Sequence, residues 1–173
     1  MHLTPTLVSV EEYLRTSFSD GDREYVDGHI VERNLGEKNH SKTQRELIYY
    51  FRTRQSSLKT HVFPEQRVQV KPTRFRVPDV CVYIGGEPDE QVFHTPPFLV
   101  VEILSKDDRP GEIQEKIRDY TEFGVRFCWV IDPRTRRGYV YTEHDSFEAK
   151  DGILRTEDPL LEVVLEDVLG GNA

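Results

Sequence analysis

Two apolar runs, Phe98–Leu104 and Val125–Ile131, each broken by a single charged residue, are too short for core helices and read as strands buried on both faces. Between them, Asp108-Arg-Pro-Gly leads into a stretch from Glu112 to Phe123 in which Ile113, Ile117 and Tyr120 recur at helical spacing. Gly124 stands where a left-handed residue caps a helix. Strand, helix and strand in that order predict a parallel pair joined by a right-handed crossover. The fold class that follows is α/β with a mixed sheet.

The flanking segments fit the same plan. Ser9-Val-Glu-Glu12 has the spacing of a capping box and predicts a short helix to about Arg15. Glu24–Glu32 holds two β-prone runs hinged at Asp27-Gly28, a strong hairpin signal. From Asn39 to about Leu58, His40, Gln44, Leu47, Phe51 and Leu58 mark one face of an amphipathic helix. Three strands are then expected, at Gln66–Val70, Phe75–Ile84 and Phe98–Leu104, with Gly138–Thr142 pairing back on Val125–Ile131. The tail predicts a hairpin at Asp151-Gly152 and a short final helix. There is no repeat, low-complexity tract or linker, and 173 residues match one domain, so residues 1–173 are expected to form a single unit with its core at about 38–143.

Composition excludes several classes. A chain with 36% hydrophobic residues, eight Tyr and nine Phe is not disordered. No apolar run approaches the roughly 20 residues of a membrane span, and no secretory signal opens the sequence. Cys81 and Cys128 build no disulfide framework, and neither CxxC nor HxxxH spacing points to zinc. A cytoplasmic protein without a membrane partner is expected. The net charge of −8 argues against a polyanionic partner until it is placed along the chain. Residues 33–76 carry eleven Lys/Arg against three acids, a local +8, and the remainder carries −16. That asymmetry fits either a local basic surface or ordinary solvated faces.

Two acids interrupt strands that otherwise read as core: Asp79 in Val77-Pro-Asp-Val-Cys-Val82 and Glu102 in Leu99-Val-Val-Glu-Ile-Leu104. A buried carboxylate needs compensation, and either a divalent cation or an Arg/Lys partner supplies it. Lys116 borders the apolar stripe of the Glu112–Phe123 helix, where it can reach both acids as a salt bridge or as a group that orients water beside a metal. Lys106 is a weaker candidate. No GxSxG, GxGxxG or GxxxxGK[ST] motif is present.

These residues carry a resemblance. Arg-Val-Pro-Asp79-Val, Leu-Val-Val-Glu102-Ile-Leu-Ser105, Glu-Lys116-Ile-Arg-Asp-Tyr120 and Phe-Cys-Trp-Val-Ile-Asp132-Pro are similar to the motifs of the Uma family. That family belongs to the restriction-endonuclease-like PD-(D/E)XK superfamily. The resemblance covers roughly residues 7–143. It implies an αβββαβ core, with a mixed four-stranded sheet flanked by helices and an added N-terminal hairpin. It makes Asp79 and Glu102 the motif acids and the carbonyl of Ile103 a backbone metal ligand. Position 104 is Leu, so the motif reads Glu-Ile-Leu where the superfamily has Glu-x-Lys, and Lys116 takes the lysine role from the following helix. Counterparts of the superfamily's first-helix glutamate are sought among His40, Gln44 and Glu46, and Glu24, His40 and Gln44 are carried as accessory residues.

The implied activity is phosphodiester hydrolysis of DNA with Mg²⁺ or Mn²⁺ held by Asp79 and Glu102. Lys116 would act beside the ion, and Lys38, Lys42, Arg45 and Arg76 would contact phosphates. Related nucleases commonly cut as homodimers. Two rivals remain: a catalytically silent module that binds DNA or a protein partner, and an enzyme of the same fold acting on RNA.

Overall fold

Pro78 decides how the middle of the chain is laid out. It offers no N–H to a ladder, and the β-rich run Phe75–Ile84 divides around it into strands that belong to different sheets. The computed structural model describes residues 6–19, 21–34 and 36–170, so the ends of the expected 1–173 unit lie outside it.

Within those residues the chain opens with α1 (Val10–Arg15), β1 (Glu24–Val26), β2 (His29–Val31), α2 (Lys38–Thr53) and α3 (Gln55–Leu58). Next come β3 (Thr60–Pro64), β4 (Val68–Lys71), β5 (Arg74–Arg76), β6 (Val80–Ile84) and β7 (Leu99–Ile103). After α4 (Pro110–Phe123) follow β8 (Phe127–Asp132), β9 (Arg137–Tyr141) and β10 (Ser146–Glu148). The chain closes with β11 (Ile153–Arg155), β12 (Glu162–Val164) and α5 (Leu165–Leu169).

The local signals act as expected. Ser9 Oγ accepts the Glu12 N–H at 3.1 Å and caps α1. Asp27 and Gly28 both have positive φ, 48° and 94°, as a two-residue hairpin turn requires. Gly124 ends α4 with φ 108°.

The main sheet runs β10-β9-β8-β7-β6-β3. β7 and β8 are parallel, with Leu99 opposite Phe127 and Ile103 opposite Ile131, as their separation by α4 predicts. The other neighbours are antiparallel. The elements α2, β3, β6, β7, α4 and β8 form the αβββαβ core, which β9 and β10 extend at one edge. The first core strand is therefore Thr60–Pro64, which the periodicity had not marked, whereas Gln66–Val70 feeds the ribbon β4–β5. Lys59, at φ 50°, makes the turn that separates α3 from this strand. The ribbon joins the N-terminal hairpin in a second sheet, β2-β1-β5-β4, with Tyr25 opposite Phe75. The turn at Asp151-Gly152 does not close a hairpin: β10 pairs with β9 and β11 with β12.

Alternation along β6, β7 and β8 sorts side chains between two layers. Val80, Val82, Leu99, Val101, Trp129 and Ile131 face Leu47 and Phe51 of α2. Cys81, Val100, Cys128 and Val130 face Ile113, Ile117 and Tyr120 of α4. Both sheet faces are covered, which explains why these strands are apolar apart from Glu102 and the terminal Asp132. A third cluster, Tyr13, Tyr25 and Phe75, fixes α1 on the smaller sheet, with Tyr13 and Tyr25 stacked at 5.0 Å.

Candidate active site

The alternation that sends Val100 toward α4 sends Glu102 the same way, and the β6–β7 register brings Asp79 beside it. Val80 lies opposite Val101. The Ile103 N–H then donates to Asp79 Oδ2 at 2.7 Å. Both acids are 4% exposed and line a cleft of about 560 Å³ between the end of β7 in the main sheet, the N-terminal half of α4 and the smaller sheet. Lys116 and Tyr120, one helical turn apart on α4, both reach Glu102. The Lys116 ammonium lies 3.3 Å from Oε2, and the Tyr120 hydroxyl donates to Oε1 at 2.6 Å.

The smaller sheet adds a third acid. Glu24 is 1% exposed, and its Oε1 accepts the Val77 N–H at 3.1 Å with Lys116 Nζ at 3.2 Å. Arg76 donates to its other oxygen at 2.9 Å. Arg33, just past β2, donates to Asp79 Oδ1 at 2.8 Å and has Glu65 at 3.7 Å. His40 Nε2, at the start of α2, lies 3.3 Å from Asp79 Oδ2. Every carboxylate oxygen of Glu24, Asp79 and Glu102 thus meets a donor from the protein itself.

This geometry separates the titrations of the acids. Burial pushes Glu102 up to about 7, reinforced by the negative charges of Asp79 and Glu24 and opposed by Lys116 and Tyr120. Burial acts the same way on Asp79, but His40, Arg33 and the Ile103 N–H outweigh it and hold that carboxyl below its usual range. Lys116 is desolvated, yet Glu102, Glu24 and Asp79 keep its ammonium charged. His40 is likewise lifted above its ordinary value by Asp79, against its burial.

The other residues singled out above divide clearly. Gln44 donates to the backbone carbonyl of Asp79 at 2.9 Å, so it supports the chain at the acid without touching the carboxylate. Glu46 pairs with Arg45, and Lys106 reaches out to Glu37 at 3.5 Å; neither faces the cleft. Arg76 is not the surface cation expected for phosphate contact. It is 4% exposed and locked between Glu24 and Asp119, the latter 2.7 Å away. Lys42 lies over Gly170. Lys38 and Arg45 remain on the exposed side of α2.

Arg33 and Tyr120 had not been singled out for the site. Tyr120 carried a signal, since it follows Lys116 by four residues on a helix. Arg33 carried none, because its position depends on the pairing of sheets distant in sequence.

The donor chemistry suits a hard divalent cation. Eight carboxylate residues line the cleft against four Lys/Arg. The arrangement is not preset for one, since among the described residues no three His, Cys, Asp or Glu side chains are grouped to hold a metal.

An αβββαβ core with one acid at the start of a strand, its partner on the neighbouring strand and a lysine on the following helix defines a restriction-endonuclease-like class of protein. The chain belongs to the Uma2 family, described as "Putative restriction endonuclease", whose model matches residues 10–170. Among solved structures it is similar to a "putative nuclease belonging to DUF820" from Anabaena variabilis. The TM-score is 0.79 at 21% sequence identity, over 94% of this chain and 97% of that one, a likeness of fold. No curated protein matches the sequence. No helix among the described residues is long and apolar enough to cross a membrane.

Proposed function

We propose that the protein is a metal-dependent DNA endonuclease, folded as one domain, that hydrolyses phosphodiester bonds at the Asp79–Glu102 cleft. The observation that carries this reading is the convergence of two buried carboxylates, one just before β6 and one on the adjacent β7, with an ammonium 3.3 Å from one of them. Asp79, Glu102 and the carbonyl of Ile103 would hold Mg²⁺ or Mn²⁺, which would supply Lewis-acid polarisation of the scissile phosphate and a more acidic water. The restriction-endonuclease-like class generally works with such ions.

The chain's own groups do the rest. Lys116, fixed between Glu102 and Glu24, presents a permanent cation that orients the attacking water and stabilises charge growing on the phosphate. Tyr120 and the Val77 N–H hold Glu102 and Glu24 in place, so the acids need not reorganise during the reaction. Glu24 and His40 are accessory groups, on Lys116 and Asp79 respectively. Lys38 and Arg45 on α2 contribute sequence-independent phosphate contacts. An acid-rich cleft repels a polyanion until a cation is bound, so DNA affinity at the site depends on the metal.

Plasmid cleavage with Mg²⁺ or Mn²⁺ tests the reading. Activity is expected from the wild-type chain and from neither D79A nor E102A. Cleavage that survives both changes, or its absence from wild type under both ions, would leave the catalytically silent module as the better account.

A further inference from the structure

A divalent ion entering this cleft meets a carboxylate that is already taken. Asp79 Oδ1 receives Arg33 Nη2 at 2.8 Å, while Oδ2 is held by the Ile103 N–H at 2.7 Å, a backbone contact fixed by the β6–β7 register. The Ile103 contact to Oδ2 is neutral and compatible with metal ligation, and His40 Nε2 stands farther off, 3.3 Å from the same oxygen. The contact to Oδ1 is a full positive charge, and a guanidinium and a divalent cation cannot share one oxygen without strong repulsion.

Of the cleft cations, Arg33 is the one best placed to leave. Lys116 bridges Glu24 and Glu102 at 3.2 and 3.3 Å, so moving it would strip two buried acids. Arg76 is held by Glu24 and Asp119 at 2.9 and 2.7 Å. Arg33 sits outside any helix or strand, between β2 and α2. Its second partner, Glu65, is half exposed and 3.7 Å away. Losing Arg33 also leaves Asp79 with His40 and the Ile103 N–H. The planar fork of a guanidinium matches a phosphodiester as well as it matches a carboxylate.

We propose that Arg33 is an exchangeable internal cation: it neutralises Asp79 in the ion-free protein, yields that oxygen to the divalent ion, and then binds the phosphodiester brought to the cleft. The inference rests on the metal-site reading above and adds a substrate-binding residue and a binding order to it. Ion and phosphodiester then bind cooperatively, because a phosphate that holds Arg33 removes the ion's competitor.

Mn²⁺ binding to the full chain tests the exchange, read from the electron paramagnetic resonance of free Mn²⁺ for wild type, R33Q, R33K and D79N, with and without dimethyl phosphate. R33Q is expected to bind Mn²⁺ about tenfold tighter than wild type, within the usual span of coupling between sites. R33K, which keeps the charge, should stay near wild type. Dimethyl phosphate should tighten Mn²⁺ binding to wild type more than to R33Q. An R33Q affinity equal to or weaker than wild type, or equal tightening in R33Q and R33K, overturns the exchange. If D79N still abolishes binding in that case, the metal site itself stands. Absence of Mn²⁺ binding in wild type and R33Q alike, or D79N binding as wild type does, overturns both. Should R33Q fail to fold, the wild-type chain still decides the matter. The Arg33 Nε–H resonance must move on saturation with Mg²⁺, and an unmoved resonance overturns the proposal.

Discussion

Arg76 and Arg155 offer a controlled comparison, because each guanidinium bridges two carboxylates and they differ mainly in burial. Arg76 is 4% exposed between Glu24 and Asp119, at 2.9 and 2.7 Å. Arg155 lies on the surface between Asp151 and Glu162, at 2.6 and 2.9 Å. Replacing Arg76 by Met removes one partner from two acids that are each 1% exposed. Breaking a buried pair in this way costs about 3–5 kcal/mol. The lower end applies here, because Glu24 keeps Lys116 and Asp119 keeps Arg74 at 3.1 Å. For a chain of this size about 3 kcal/mol lowers Tm by roughly 6–12 °C. Trp129, the one tryptophan and fully buried, reports unfolding in urea. R76M should lower the midpoint strongly and R155M should leave it unchanged. The loss should also depend on pH. Burial works to raise the Glu24 carboxyl, but Lys116, Arg76 and the Val77 N–H outweigh it and hold the group below its ordinary 4.5. A lowered carboxyl contributes stability above its unfolded value and loses it as pH falls through its folded value. The gap between wild type and R76M is therefore widest near neutrality and closes below about pH 4.5. An R76M loss under about 1 kcal/mol, the scale of an exposed pair, would refute the argument that burial gives this network its weight.

Two further outcomes bear on the site. Tyr120→Phe removes the 2.6 Å hydrogen bond that favours ionised Glu102, a contact of about 1.5–3 kcal/mol when one partner is charged. Glu102, already raised to about 7, should titrate higher still. The acidic limb of the cleavage profile should therefore move up by about 1–2 pH units; a profile that stays in place would remove Glu102 from the titrating machinery. On α2, the double change K38A/R45A should reduce by about two the slope of log affinity for DNA against log salt; an unchanged slope would place the DNA elsewhere on the surface.

What the sequence disclosed about the site follows from how each residue is held. Asp79 and Glu102 were legible because a charge inside an apolar run marks either a point where the strand meets solvent or a buried position that needs compensation, and two such acids together favour the second. Lys116 was legible because helical phase relates it to Ile113 and Tyr120. The hairpin at Asp27-Gly28 and the end of α4 at Gly124 were written in residues that tolerate positive φ. The pairing of β1 with β5 was not legible, since Tyr25 and Phe75 lie fifty residues apart and no local pattern records their contact. That one pairing brings Glu24, Arg33 and Arg76 to the cleft. Apart from Tyr120, what the sequence left unread about the site follows from it, just as the edge strand Thr60–Pro64 went unmarked beside a helix whose pattern ran up to it.

The same pairing revises the meaning of the basic segment. Of the eleven cations between residues 33 and 76, Arg33, Arg67, Lys71, Arg74 and Arg76 face carboxylates distant in sequence, at 2.6–3.0 Å in their closest contacts, while Arg45 pairs with its neighbour Glu46. These five serve folding and the cleft, so the local +8 overstates what is available to a polyanion. The remaining positive surface is mainly that of α2, where Lys38, Arg45 and Arg52 are exposed beside Tyr49. On the proposed function, a cleft with twice as many carboxylate residues as Lys/Arg and a helix that is positive outside it would divide the work of binding DNA. The helix would hold the backbone at any time, but the cleft would admit a phosphate only after its acids have been neutralised. Specificity for the scissile position would then come from the order of binding, ion first and phosphate second.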